Sequence, residues 1–160
     1  MNVLFVGGTG IISSACARLA LARGIDLTFL CRGRSGRHAP APGAKVVHGD
    51  VRDPHSVHSA LGDRGFDVVV QWVGFVRQHV DLDIELFRGR VRQYIFISSA
   101  SAYQTPPSRL PVTESTPLHN PFWQYSRDKI DCEERLMRAY RGEGFPATIV
   151  RPSDVALTGR

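Results

Sequence analysis

Short apolar bursts, separated by glycine, proline and charge, run the length of this chain, and their period alternates between strand-like and helix-like. Val3 to Val6 is a continuous apolar run broken at Gly7-Gly8, so Asn2–Val6 predicts a buried strand ending in a turn. Ile12, Cys16, Leu19 and Ala20 then recur at helical spacing and stop at Gly24, which predicts a helix over Ile11–Arg23. A second strand follows at Asp26–Cys31, a Gly-, Pro- and Arg-rich loop at Arg32–Ala44, and a short third strand at Lys45–His48. Asp53-Pro54 opens a helix, with Asp53 as cap and proline at the first helical position. Phe66–Val73 is an apolar run bounded by glycines and reads as a buried parallel strand. Asp81–Phe87 reads as a short helix and Val91–Ser98 as a fifth strand. The Pro-rich stretch Tyr103–His119 is a loop, after which Asn120-Pro121 marks a helix start. That helix runs to about Tyr140, with Ile130, Leu136, Met137 and Tyr140 among its apolar positions, and Ala147–Val150 is a sixth strand.

Strands alternating with helices imply right-handed crossovers, hence an α/β fold with a Rossmann-type doubly wound parallel sheet ordered 3-2-1-4-5-6. At 160 residues the chain forms one domain with room for a substantial core. No apolar run approaches the ~18 residues that span a bilayer, so no membrane partner is expected. The apolar N-terminus has no basic leader, which favours a strand over a signal peptide. Cys16, Cys31 and Cys132 are odd in number and widely spaced, as in a reducing, cytoplasmic protein without disulfides. His55 and His58 lie three apart on one helix, but nothing completes a ligand set, so no metal is expected. The net charge of +5 is uneven: Arg32, Arg34 and Arg37 cluster, as do Arg88, Arg90 and Arg92. Such clusters either solvate a surface or bind phosphate. Trp72 and Phe75 fit a core or a pocket wall better than base stacking, so nucleic acid is not the expected partner.

The candidate chemistry begins at Gly7-Gly8-Thr9-Gly10-Ile11-Ile12, a glycine turn between strand and helix. Gly7 and Gly8 permit the tight turn, and Gly10 lets backbone approach a pyrophosphate. The following helix then points its free N–H groups and positive dipole end at that phosphate. A third small residue normally packs helix on strand, and Ser13 takes that place. An acidic residue at the end of the second strand would bind the adenosine ribose of NAD; Cys31-Arg32 stands there instead. A missing carboxylate with arginines at 32, 34 and 37 suits the 2′-phosphate of NADP, so the expected cofactor is NADP or NAD, with NADP favoured.

Tyr125 and Lys129 lie one helical turn apart and share a face. A free phenol titrates near ~10, too high for acid–base work at neutral pH, and a neighbouring ammonium is expected to lower it. Ser99, at the C-terminal edge of the fifth strand, can donate a hydrogen bond to a substrate oxygen as charge develops. That edge is where ligands bind in a parallel sheet.

With these residues in hand, the chain resembles the extended short-chain dehydrogenase/reductase superfamily, in its NAD-dependent epimerase/dehydratase branch. The family's Gly-x-x-Gly-x-x-Gly turn is matched by Gly7, Gly10 and, with a departure, Ser13. Its Gly-Asp-hydrophobic segment beside the adenine is matched by Gly49-Asp50-Val51. Its fourth strand normally ends His-Leu-Ala-Ala, where this chain departs with Gln71-Trp72-Val73-Gly74. The Ser-Ser-x-x-x-Tyr strand end is matched by Ser98 to Tyr103, and an Arg-Pro turn by Arg151-Pro152. The resemblance implies Ser99, Tyr125 and Lys129 as catalytic residues. It implies Asp50, Val51, Val73, Gly74, Ser98 and Pro152, with Tyr125 and Lys129, as further cofactor contacts, beside the Arg32 contact expected from the end of the second strand. The implied activity is hydride transfer with a nicotinamide cofactor on a sugar nucleotide or another hydroxyl or carbonyl substrate.

The resemblance spans residues 1–152, a cofactor-binding domain, and leaves 153–160 unmatched. Relatives continue with a segment that completes the substrate pocket. The expectations are therefore a truncated or minimal variant, weak turnover by the chain alone, and homodimerisation or aggregation through the edge of the sixth strand. The rival class is a catalytically silent, NAD(P)-binding regulator or an RNA-associated relative of the same fold.

Overall fold

The computed structural model describes residues 1–33 and 39–153. Its six strands are β1 (Asn2–Val6), β2 (Asp26–Cys31), β3 (Lys45–His48), β4 (Phe66–Gln71), β5 (Val91–Ile97) and β6 (Ala147–Val150). Four α-helices connect them: α1 (Ile11–Ala22), α2 (Pro54–Leu61), α3 (Arg77–Phe87) and α4 (Gln124–Glu143). Every strand pairing is parallel and the order is β3-β2-β1-β4-β5-β6, the predicted doubly wound sheet. Alternate β1 residues feed two cores, as a strand period of two requires. Leu4 and Val6 join Val57, Ile84 and Leu136 from α2, α3 and α4 on one face. Val3 and Phe5 join Ala17 of α1, Leu27 and Phe29 on the other, where Trp72 also packs edge-on against Phe5.

The observed elements differ from the periodicity reading at the α1 face, the α3 start, both ends of α4 and the β4 end. On α1 the buried positions are Ser13 and Ala17, while Cys16 and Leu19 are exposed. Small side chains let this helix lie close on the sheet, so the larger apolar ones are displaced outward. Helix α3 begins at Arg77, not Asp81, because His79 Nδ1 accepts the Phe75 N–H at 3.1 Å and caps the entry. Helix α4 begins at Gln124: Asn120 Oδ1 accepts N–H bonds from Phe122 and Trp123, which makes 120–123 a turn instead of the first helical turn. It ends at Glu143, with Gly144 left-handed at φ +67°, and Tyr140 is exposed. Strand β4 stops at Gln71, since the next free N–H, that of Val73, turns to the Gln71 side chain. Asp53 and Pro54 open α2 as expected, with Asp53 Oδ1 accepting the His55 N–H at 3.0 Å. No helix among the described residues is long and apolar enough to cross a membrane.

Candidate functional site

The C-terminal ends of β1, β2, β4 and β5 open onto one cleft of about 1230 Å³. Its floor is the glycine turn. Gly7 and Gly8 adopt φ +81° and +104°, conformations that side chains disfavour. A Cβ on Gly7 would stand 2.7 Å from Val73 Cγ1, and one on Gly8 would stand 2.7 Å from the Phe29 ring. The turn is therefore a cradle that only glycine leaves open. Gly10 is extended, and its N–H and C=O are both bound by the Ser13 hydroxyl, at 2.9 and 3.2 Å. Ser13 thus closes the turn as well as letting the helix approach. Thr9, Ile11 and Ile12 line the cleft at the N-terminus of α1, where free N–H groups and the helix dipole favour an anion. A glycine cradle at a helix N-terminus fits the pyrophosphate of a dinucleotide.

Cys31, Arg32, Asp50 and Val51 line one end of the cleft. Asp50 is oriented by its own turn: its N–H meets Ser56 Oγ at 2.9 Å and its Oδ1 accepts the Arg52 N–H at 2.9 Å. Arg32 Nη1 lies 4.0 Å from Asp50 Oδ2 in an exposed pair. Arg34 and Arg37, read from the sequence with Arg32, lie outside the described residues.

At the opposite end, Val73, Ser98, Ser99, Tyr125, Lys129 and Pro152 line the same cleft. Gly74 lies behind that lining, and its carbonyl accepts Lys129 Nζ at 2.6 Å. Lys129 Nζ also donates to the Ile97 carbonyl at 2.8 Å and sits 4.6 to 5.6 Å from the ring centres of Phe96, Phe75 and Tyr125. The ammonium is almost fully buried, and burial lowers its pKa to about 8 against the opposing pull of Cys132 and Glu133. The expected lowering of the Tyr125 phenol is not what this arrangement produces. Burial pushes the phenol up, the Cys132 thiol adds to it, and the ammonium faces carbonyls instead of the phenolic oxygen.

Sequence reading missed two supporting clusters. Ser99 Oγ lies 2.8 Å from Ser101 Oγ, which accepts from Ser126 Oγ at 2.8 Å, while Asn120 Nδ2 reaches the Ser101 carbonyl at 2.9 Å. The second lies beneath Ser98, whose hydroxyl donates inward to Glu133 Oε1 and not toward the cleft. Arg151 grips Glu133 through Nε and Nη2 and reaches Tyr103 Oη at 3.0 Å. The helical repeat from Lys129 to Glu133 was a readable signal for the buried acid; its pairing with Arg151, just past the end of β6, was not. Phe75, read as a core or wall residue, lines the cleft and is 45% exposed.

This site holds a hydroxyl donor, a phenol and a buried ammonium at one end of a cleft whose other features fit a dinucleotide. The NAD dependent epimerase/dehydratase family model matches residues 3–159. The UDP-glucose 4-epimerase of Lactobacillus helveticus is 30% identical over 98% of this chain and 52% of its own length. The chloroplast stem-loop binding protein of 41 kDa b of Arabidopsis thaliana is 32% identical over 64% of this chain and 30% of its own. Among solved structures, UDP-glucose 4-epimerase from Bifidobacterium longum in complex with NAD+ and UDP superposes with TM-score 0.80 at 21% identity, over 94% of this chain and 52% of that one. The chain spans about half the length of the curated epimerases it matches. It belongs to the NAD-dependent epimerase/dehydratase family.

Proposed function

We propose that this chain is the cofactor-binding and acid–base half of an NAD(P)-dependent epimerase, dehydratase or reductase acting at a hydroxyl-bearing carbon of a nucleotide sugar or similar substrate. The observation that carries this reading is the shared cleft: Ser99, Tyr125 and Lys129 line the same cavity as the glycine cradle. A nicotinamide bound there supplies a reversible acceptor for the hydride of the substrate carbon. Ser99 exchanges its Ser101 partner for the substrate oxygen and steadies the charge that develops on it. Tyr125 takes the hydroxyl proton in one direction and returns it in the other. Lys129 holds the cleft wall through Gly74 and Ile97, and its positive charge would favour the phenolate once Nζ turns from those carbonyls toward the phenol. The nucleotide-sugar substrate class is supported by the epimerase relatives.

NADP is the favoured cofactor. The end of β2 offers Cys31 in place of a carboxylate, and Arg32 lines the cleft in a weak, exposed contact with Asp50 that a 2′-phosphate can replace. Calorimetric titration should find NADPH bound more tightly than NADH, and Arg32→Asp should reverse the order. Tighter NADH binding by the unaltered protein refutes the arginine argument. Tyr125→Phe should cut turnover of a nucleotide-sugar panel by about a hundredfold or more while leaving cofactor affinity within about twofold. The second reading, cofactor binding without turnover, is favoured by the commitment of Lys129 to two carbonyls and by the raised phenol. Absence of any turnover with intact cofactor binding would select it.

A further inference from the structure

Beneath the cofactor cleft lies a buried polar cluster that the proposed chemistry does not use. Asp83 on α3 is fully buried, and its Oδ2 accepts from Gln71 Nε2 and from Tyr94 Oη, each at 2.6 Å. A carboxylate has no hydrogen to give, so the Gln71 amide must turn its NH2 toward Asp83. Its oxygen is thereby aimed the other way, and it accepts the Val73 N–H at 2.8 Å. The Val73 carbonyl accepts from Arg52 Nη2, and the next carbonyl, Gly74, accepts from Lys129. Both backbone polar groups of Val73 are thus held by side chains, in a segment that has already left the sheet ladder.

Val73 is also the residue against which Gly7 packs, with no room for a Cβ between them. Gly74 is equally confined, since a Cβ there would stand 2.8 Å from Phe96 and 3.0 Å from Gln71. The Gln71 amide oxygen thus holds the segment that walls the glycine turn. Arg52 and Asp83 carry opposite charges within this cluster, and each has one buried atom, Nη1 and Oδ1, with no hydrogen-bond partner among the described residues. The charged or titratable groups facing Asp83 are Arg52 from the turn after β3, Tyr94 from β5 and Cys132 from α4.

We propose that Gln71 and Asp83 are positioning residues for the cofactor cleft: Asp83 sets the orientation of the Gln71 amide, which holds Val73-Gly74 against the glycine turn. The proposal deepens the cofactor reading above and rests on it for its binding consequence, though not for its structural one. Asp83 touches neither cleft nor substrate; it acts through Gln71.

The test uses the 160-residue chain and three variants. Gln71→Met keeps length and removes both hydrogen bonds; Phe87→Leu perturbs the same core away from Val73. Gln71→Glu places a second carboxyl against Asp83, and the pair can be held only by sharing a proton. Amide hydrogen exchange at Val73 is read first, without cofactor. Gln71→Met should accelerate it by at least tenfold over Phe87→Leu, and equal protection in the two variants overturns the proposal. NADPH affinity is read second, by calorimetry. Gln71→Met should weaken it at least fivefold and Phe87→Leu less than twofold; unchanged affinity in Gln71→Met also overturns the proposal. If Gln71→Met does not fold, Gln71→Glu decides. Its Val73 protection, relative to the unaltered protein, should fall at least tenfold between pH 5.5 and 8 as the shared proton leaves, and a ratio independent of pH is the contrary result. If the unaltered protein binds no dinucleotide, the cofactor reading fails while the exchange measurement still decides the positioning role.

Discussion

At the scale of single residues, Lys129 sits far from the usual chemistry of a lysine. A lysine this buried is normally costly, and two carbonyls with three aromatic faces offset that cost. Its pKa of about 8, against an ordinary value near ~10.4, means the folded chain releases this proton before the unfolded chain does. The contribution of this group to stability therefore rises as pH climbs from about 8 to about 10. Catalysis should move the other way, because the neutral amine no longer favours a phenolate. Turnover is expected to decline above about pH 8 while the melting temperature of the protein, compared with Lys129→Met, does not. A rate plateau persisting to pH 9.5 would remove Lys129 from the acid–base role. The Tyr-x-x-x-Lys spacing made both residues legible; the direction of the tyrosine shift was not, because burial is a property of neighbours distant in sequence.

Helix α1 shows what local pattern can and cannot say about an element. Its range was readable to within one residue, since Gly10 and Gly24 bracket it. Its buried face was not. Apolar spacing pointed to Cys16 and Leu19, whereas close approach to the sheet selected Ser13 and Ala17. The same closeness makes α1 intolerant of bulk. Ala17→Leu should destabilise the fold by about 1–3 kcal/mol in urea unfolding through overpacking against Leu27 and Phe29. Leu19→Ala, on the exposed face, should stay within about 0.5 kcal/mol. Equal costs at the two positions would show that the helix does not sit as described.

Across the whole molecule, the two sides of the sheet carry different kinds of interior. One holds an apolar core against α1, while the other buries Asp83, Lys129 and Glu133 among aromatic and aliphatic side chains. Burial raises Asp83 to about 6, with the Tyr94 and Gln71 bonds and the Arg52 charge pulling against it. Its folded pKa exceeds the ordinary carboxylate value near ~3.9, so the folded chain holds this proton more tightly than the unfolded one. The destabilising contribution of Asp83 therefore grows as pH rises from about 4 to about 6, and reaches about 3 kcal/mol at most. Asp83→Asn should gain stability relative to the unaltered protein over that interval, measured by urea unfolding at pH 4.5 and 7. A stability difference that does not change with pH would show that Asp83 keeps an ordinary pKa.

By itself the sequence determined the strand order, the glycine turn, the cap of α2 and the one-turn spacing that puts Tyr125 and Lys129 on one helix face. Each is encoded locally, by strand period, by a turn only glycine can make, or by a motif one helical turn long. Tertiary structure alone decided which face of α1 is buried, and that Gln71 serves Asp83 on one side and Val73 on the other. It also decided that Ser98 points to Glu133 while Ser99 stays at the cleft. Several of those outcomes depend on groups that lie tens of residues apart, such as Ser98 with Glu133 and Lys129 with Gly74. A polar side chain chooses its partner by what the folded sheet and helices bring within reach, and no local pattern contains that information.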